Sequence, residues 1–240
     1  MVTKDNFKLT ERYGKFINVV HMAFEKDEAI NRFLEYLECE TDYHWAPAST
    51  KYHSAYPGGL VAHSINVYDA LVRINTVYEL KIGKESLIIC GLFHDLGKVN
   101  FYIIEADDPT IKQMGFLESV FDSRDLEKLK KQGLTKGWAS ELLDWHTKGR
   151  HGDSPEKHVY YKIKDDFPIG HTVRGLILLL EYLFLTKEEK LAIRWHSGLY
   201  EAGDSYENRM IFDNARNTYP LVAALIAADY EAAFIGEKIG

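Results

Sequence analysis

The stretch LIICGLFHDLGK, residues 87–98, is apolar enough for a buried helix, yet it carries His94, Asp95 and Lys98 within five positions. A buried charge is costly unless it is paired or bound to a metal. Four more apolar stretches carry a group of the same kind. These are His63 in GGLVAHSINVYDAL, His171 in FPIGHTVRGLILLL, His196 in KLAIRWHSG and Asp229 in LVAALIAADYEAAF. Taken singly, each histidine reads as an ordinary hydrogen-bonded residue. Taken together, four histidines and two aspartates would each need a separate partner inside one bundle. A shared metal site satisfies all six at once, because neutral imidazole and carboxylate suit hard and borderline divalent cations. His94 and Asp95 are consecutive and point about 100° apart on a helix. They can share an ion only if it lies beside the helix, and the two oxygens of Asp95 allow it to bridge two ions.

The elements that must position these groups are mostly helical. Helical periodicity runs through FKLTERYGKFINVVHMAF, through DEAINRFLEYLEC with Asp27 as its cap, and through LVAHSINVYDALVRINTVYEL. After the Gly83 turn, KESLIICGLFHDLGKV is expected as one long helix. Further helices are expected over SRDLEKLKKQG, GWASELLDWHTKG, IGHTVRGLILLLEYLFL, KEEKLAIRWHS and YPLVAALIAADYEAAF, with a Gly/Asn/Asp-rich loop over residues 198–215. VNFYII reads as a short strand, and KHVYYKIK alternates as strands do and suggests a small hairpin. The fold class is therefore an all-α bundle with a minor β-hairpin. With no repeat and no Pro/Ser linker, one domain is expected over 1–240. It comprises N-terminal helices over 1–45, a core over 50–235, and an insert at about 100–160.

Bulk properties narrow the function classes. The chain has 240 residues, is 46% hydrophobic and 27% charged, and carries a net charge of −7. That is globular composition, and the acidic balance argues against a broad duplex nucleic-acid surface. Two cysteines, Cys39 and Cys90, exclude a cysteine-built zinc cluster and read as reduced core residues of a cytoplasmic protein. No apolar run reaches membrane-spanning length. His146 and His151 read as surface or pocket-rim residues, and His21, His44 and His158 carry no arguable role.

The order His63, then His94-Asp95, then Asp229 resembles the four-ligand signature of the HD superfamily of metal-dependent phosphohydrolases. HDLGK is the form of the motif in its dinuclear branches. The stretches YHSAYPGGLVAHSINV, FPIGHTVRG, IRWHSGLYE and IAADYEAAF are similar to the HD portion of bacterial 3′-to-5′ exoribonucleases of that superfamily. The resemblance implies an HD-domain helical bundle. It also implies a primary metal site of His63, His94, Asp95 and Asp229, with Asp95 bridging to a second ion held by His171 and His196. The cofactors would be two divalent ions drawn from Mn, Fe, Ni, Zn or Mg. A metal-activated water would cleave a phosphoester of a nucleotide or of a short single-stranded nucleic acid. Those exoribonucleases carry an N-terminal oligonucleotide-binding barrel, whereas residues 1–45 here read as helices, which favours a small nucleotide. Asp95 and Lys98 are the expected catalytic groups. Lys98 lies one turn after His94, where it would meet charge building on phosphoryl oxygens or simply complement a helix end. His53, Lys98 and Arg174 are the expected substrate contacts. The insert would form a lid or rim that sets specificity, and a homodimer is common for such bundles. Two further readings stay open: a mixed-valent di-iron oxygenase of the same superfamily, and a non-catalytic nucleotide-binding module.

Overall fold

The computed structural model describes residues 2–149, 153–201 and 203–238. Among these are eleven α-helices and two short strands. In chain order the helices are α1 (Glu11–Phe24), α2 (Glu28–Cys39), α3 (Gly59–Val77), α4 (Lys84–Phe93), α5 (Ile111–Val120), α6 (Ser123–Lys131), α7 (Lys136–Thr147), α8 (His171–Tyr182), α9 (Lys187–Trp195), α10 (Tyr206–Thr218) and α11 (Pro220–Phe234). Strand β1 (Tyr102–Ile104) pairs with β2 (Tyr161–Ile163). The connection between the paired strands is the whole stretch 105–160 rather than a tight turn. The chain divides into two compact units, Met1–Tyr102 with Lys164–Gly240, and Ile103–Ile163.

The larger unit is built from helices that bury most of their surface. In α3, eleven of the residues from Gly59 to Leu71 are buried, and Leu87 through Phe93 of α4 are all buried. Helix α11 packs against α3 and α9, α3 packs against α4, and α8 packs against the 3-10 turn Leu96–Lys98. Caps follow the sequence signals. The Asp27 carboxylate accepts from the N–H groups of Ala29 and Ile30, and Thr186 and Glu189 form a capping box on α9. The smaller unit has its own apolar cluster of Leu117, Leu126, Leu134, Trp138, Ala139, Leu142 and Tyr160. There Thr110 and Gln113 cap α5 by the same reciprocal pattern.

Three expectations are corrected. The helix through residues 84–99 stops at Phe93, with His94 as its C-cap and a separate 3-10 turn over Leu96–Lys98. The tighter 3-10 turn contains Gly97, where the backbones approach closely: a Cβ there would stand 1.9 Å from the carbonyl oxygen of His171. The segment 198–215 is not wholly loop, because Ser205 caps α10 from Tyr206 onward by accepting from the Asn208 N–H. Its Asn and Asp residues obscured the helical period because they favour caps and turns. Finally, Cys90 is buried as expected but Cys39, the last residue of α2, is exposed.

Candidate metal centre

All six expected ligands come together in the larger unit. Three triads have ligand atoms within 4.8 Å of one another: His63, His94 and Asp95; His94, His196 and Asp229; and Asp95, His171 and His196. Asp95 sits between the two ends. Its Oδ2 lies 3.7 Å from His63 Nε2 and 3.6 Å from His94 Nε2, while its Oδ1 lies 3.3 Å from the Nε2 atoms of both His171 and His196. Asp229 Oδ1 is 3.1 Å from His63 Nε2 and 4.0 Å from His94 Nε2. His63, His94, Asp95 and His196 are buried.

The helix ends explain why these side chains meet. His63 rides in the body of α3, His94 closes α4, His171 opens α8, His196 closes α9 and Asp229 rides in α11. The small residues Gly97 and Gly175 let the Asp95 turn and α8 approach at backbone contact, with 2.8 Å separating an added Gly175 Cβ from the Gly97 nitrogen. That approach brings His171 to the free oxygen of Asp95.

Each imidazole presents Nε2 to the cluster and anchors Nδ1 elsewhere. His94 Nδ1 bonds the Gly91 carbonyl at 3.0 Å and His196 Nδ1 bonds the Ile193 carbonyl at 2.8 Å. His63 Nδ1 bonds Glu237 Oε1 at 2.7 Å, and His171 Nδ1 lies 3.1 Å from Glu201 Oε1. An imidazole that donates from Nδ1 offers its Nε2 lone pair to a metal. Three of the inner atoms lack partners. His63 Nε2, His94 Nε2 and Asp95 Oδ1 are buried without a hydrogen bond, so the short His63–Asp229 approach is off the hydrogen-bond direction. The Nε2 atoms of His171 and His196 face each other at 3.3 Å. Buried polar atoms without partners are expensive, and divalent cations are what this donor set of imidazoles and carboxylates would satisfy. The residues present therefore fit such ions.

The site's own charges are strongly perturbed. Burial opposes the charged form of His63, but the carboxylates of Asp229, Glu237 and Asp95 overcome it and raise the group to about 9. His171 is raised to about 9 in the same way, against burial, by Asp95 and Glu201. Burial dominates at His94 and pushes it down to about 3. Asp95 is held well below the usual carboxylate range. Burial opposes this, while Lys98 and the surrounding imidazoles favour it.

Lys98 Nζ lies 2.7 Å from Asp95 Oδ2, with its side chain mostly covered. His53 lies beside the cluster with its ring centroid 4.6 Å from that of His63, and its buried Nε2 has no hydrogen-bond partner. Burial, with the positive neighbours His63 and Lys98, lowers it to about 4. Arg174 faces Asp165 and Asp166, at 3.8 and 3.4 Å, and lies near the ring of Phe101. His146 is on α7 of the smaller unit, and His151 falls outside the described residues. Sequence reasoning missed Glu201 and Glu237. Glu201 lies inside the quoted IRWHSGLYE stretch but outside any helix. Glu237 belongs to a short 3-10 turn, Gly236–Lys238, that has no periodic signal.

No helix among the described residues is long and apolar enough to cross a membrane. No family model matches the chain, and no solved structure matches it. Over 66 residues, covering 26% of each protein, the chain is 33% identical to the dihydroneopterin 2′,3′-cyclic phosphate phosphodiesterase of Methanocaldococcus jannaschii. The aligned stretch is thus about a quarter of that relative's length.

Proposed function

We propose that this protein is a metal-dependent phosphohydrolase of the HD type, cleaving a phosphodiester or phosphomonoester of a small nucleotide-like molecule. The observation that carries the reading is the convergence of His63, His94, Asp95, His171, His196 and Asp229, with the buried His63 Nε2, His94 Nε2 and Asp95 Oδ1 unpartnered. The partial likeness to a cyclic phosphate phosphodiesterase supports the choice of reaction. His63, His94, Asp95 and Asp229 would hold one ion, and Asp95, His171 and His196 a second. Divalent ions held there would supply Lewis acidity toward phosphoryl oxygens and a hydroxide source near neutral pH.

The chain's own groups do the rest. In hydrolysis the water oxygen bonds phosphorus, the ester P–O bond breaks, and the departing oxygen takes up a proton. Negative charge builds on the phosphoryl oxygens during the exchange. Lys98 stays an ammonium there because Asp95 counteracts the effect of its burial, and a fixed cation in a shielded site stabilises such charge. His53 is neutral with a free, buried Nε2, so it can contact a substrate oxygen without adding charge. The insert at about 100–160 is proposed to influence the choice of substrate. Deleting part of it should alter substrate preference more than metal content.

The test is a screen of mono- and diesters, cyclic 2′,3′-phosphates included, on chelator-treated protein supplied with Mn²⁺ in the absence of oxygen. Turnover under those conditions supports hydrolysis and excludes an oxygenase. Turnover that needs Fe and oxygen, or a protein that binds no divalent ion, sinks the proposal. In the active protein, Lys98→Ala should lower kcat about 10²–10³-fold while leaving metal content unchanged.

A further inference from the structure

Glu237 is used by nothing in the reaction described above, yet it is tied into the site by three hydrogen bonds. Its side chain is 6% exposed. Oε1 accepts from His63 Nδ1 at 2.7 Å and from Asn66 Nδ2 at 3.3 Å, and Oε2 accepts from the Ser54 hydroxyl at 2.6 Å. The turn follows directly on α11, the helix that supplies Asp229. One continuous segment therefore flanks both nitrogens of His63: Asp229 lies 3.1 Å from Nε2, and Glu237 bonds Nδ1.

The Ser54 bond extends the grip to a second element. Ser54 is buried and holds φ at +45°, a left-handed conformation uncommon for a residue with a side chain. Its carbonyl accepts from the Ala48 N–H and closes the loop that leads into α3. The same loop carries His53 against His63.

We propose that Glu237 is a positioning residue that latches the C-terminal turn onto His63 and the Ser54 loop, fixing the Nδ1–H tautomer of His63 so that its Nε2 lone pair faces the metal cluster. The inference rests on the metal-site reading above. A carboxylate behind a metal-bound histidine orients the ring and raises its basicity, and its loss commonly costs 10–100-fold in metal affinity. The latch acts through hydrogen-bond geometry. A glutamine can accept from Nδ1–H through its amide oxygen and can donate to Ser54 once the hydroxyl rotates.

The experiment is calorimetric titration of Mn²⁺ into chelator-treated full-length protein. Glu237→Ala should weaken the Mn²⁺ Kd about 10–100-fold, and Glu237→Gln should recover most of that loss. Ser54→Ala, which removes one of the three bonds, should fall between wild type and Glu237→Ala. Arg73→Ala, which breaks an exposed pair with Glu231 on α11, should leave the Kd unchanged. Thermal unfolding of each metal-free variant separates loss of the latch from loss of the fold. An unchanged Kd in Glu237→Ala, or equal weakening in Glu237→Ala and Glu237→Gln, overturns the latch and leaves the metal site standing. Wild-type protein that takes up no Mn²⁺ removes the metal-site reading itself, and the latch with it.

Discussion

The four histidines of the site divide into two kinds, and the difference lies in where they stand on their helices. His94 and His196 each close a helix and bond a carbonyl three residues back, Gly91 and Ile193. The last carbonyls of a helix have no intrahelical partner, so a histidine at that position finds an acceptor on its own chain. His63 sits in the body of α3 and His171 begins α8, where the nearby carbonyls are committed to the helical ladder. These two borrow carboxylates from distant segments, Glu237 and Glu201. The electrostatics follow. His94, with a neutral backing, is pushed down to about 3, whereas His63 and His171, each between carboxylates, rise to about 9. His94 is held neutral and ready to ligate, whereas His63 and His171 must release protons to become ligands.

The most damaging change is at the residue both kinds share. On the proposed reading, Asp95→Ala should reduce turnover to background and abolish divalent metal uptake, as read by elemental analysis. Retained turnover would dissolve the comparison altogether. Gly97→Ala comes next, because its Cβ would collide with the His171 carbonyl. Overpacking against backbone should cost about 3 kcal/mol or more, seen in urea unfolding. It should displace His171 while the His63–His94–Asp229 end still takes up an ion, so bound metal per chain should fall without reaching zero.

The pH dependence sharpens the distinction. Since His63 and His171 are raised above the ordinary histidine value, metal binding near neutral pH must displace their protons. Mn²⁺ affinity should rise about tenfold per pH unit for each proton released and level off near pH 9, when followed by titration in buffers of different ionisation heat. The sign reverses for stability of the metal-free protein. The raised pKa values of His63 and His171 add stability that is fully present below the ordinary histidine value and lost as pH rises through about 9. The depressed carboxyl of Glu201, held at about 2 by His171 and Thr172 against burial, adds stability present above the ordinary glutamate value. That part disappears as pH falls toward 2.

Glu201→Ala should weaken metal binding about 10–100-fold, with Glu201→Gln milder because the amide oxygen can still accept from His171 Nδ1, at the loss of the bond from the Thr172 N–H. The smallest effect is expected from Ser197→Ala, whose hydroxyl lies 3.3 Å from His171 Nε2. Because that contact competes with a metal for the same nitrogen, its loss should raise Mn²⁺ affinity by about threefold to tenfold.

What could be read from the amino-acid sequence followed from local rules. Apolar periodicity marked most helices, Asp27 announced its cap, and polar groups within apolar stretches drew attention to His63, His94, Asp95, His171, His196 and Asp229. Those groups stand out because a helix that buries nearly all its faces has no reason to carry them unless they share a partner. The break after Phe93 leaves no mark on the apolar periodicity of residues 84–99, and it accompanies the close contact of Gly97 with α8. Helix α10 was hidden by its Asn and Asp content. The backing groups were beyond local reasoning as well. Whether Nδ1 of His63 finds an acceptor depends on a turn 174 residues further along the chain, and periodicity carries no record of contacts over that separation. Sequence by itself therefore determined which side chains must be buried and polar. Tertiary structure alone decided which carboxylate stands behind which imidazole, because only the packing of α11 on α3, and of the Glu201 loop on α8, brings those atoms within bonding distance.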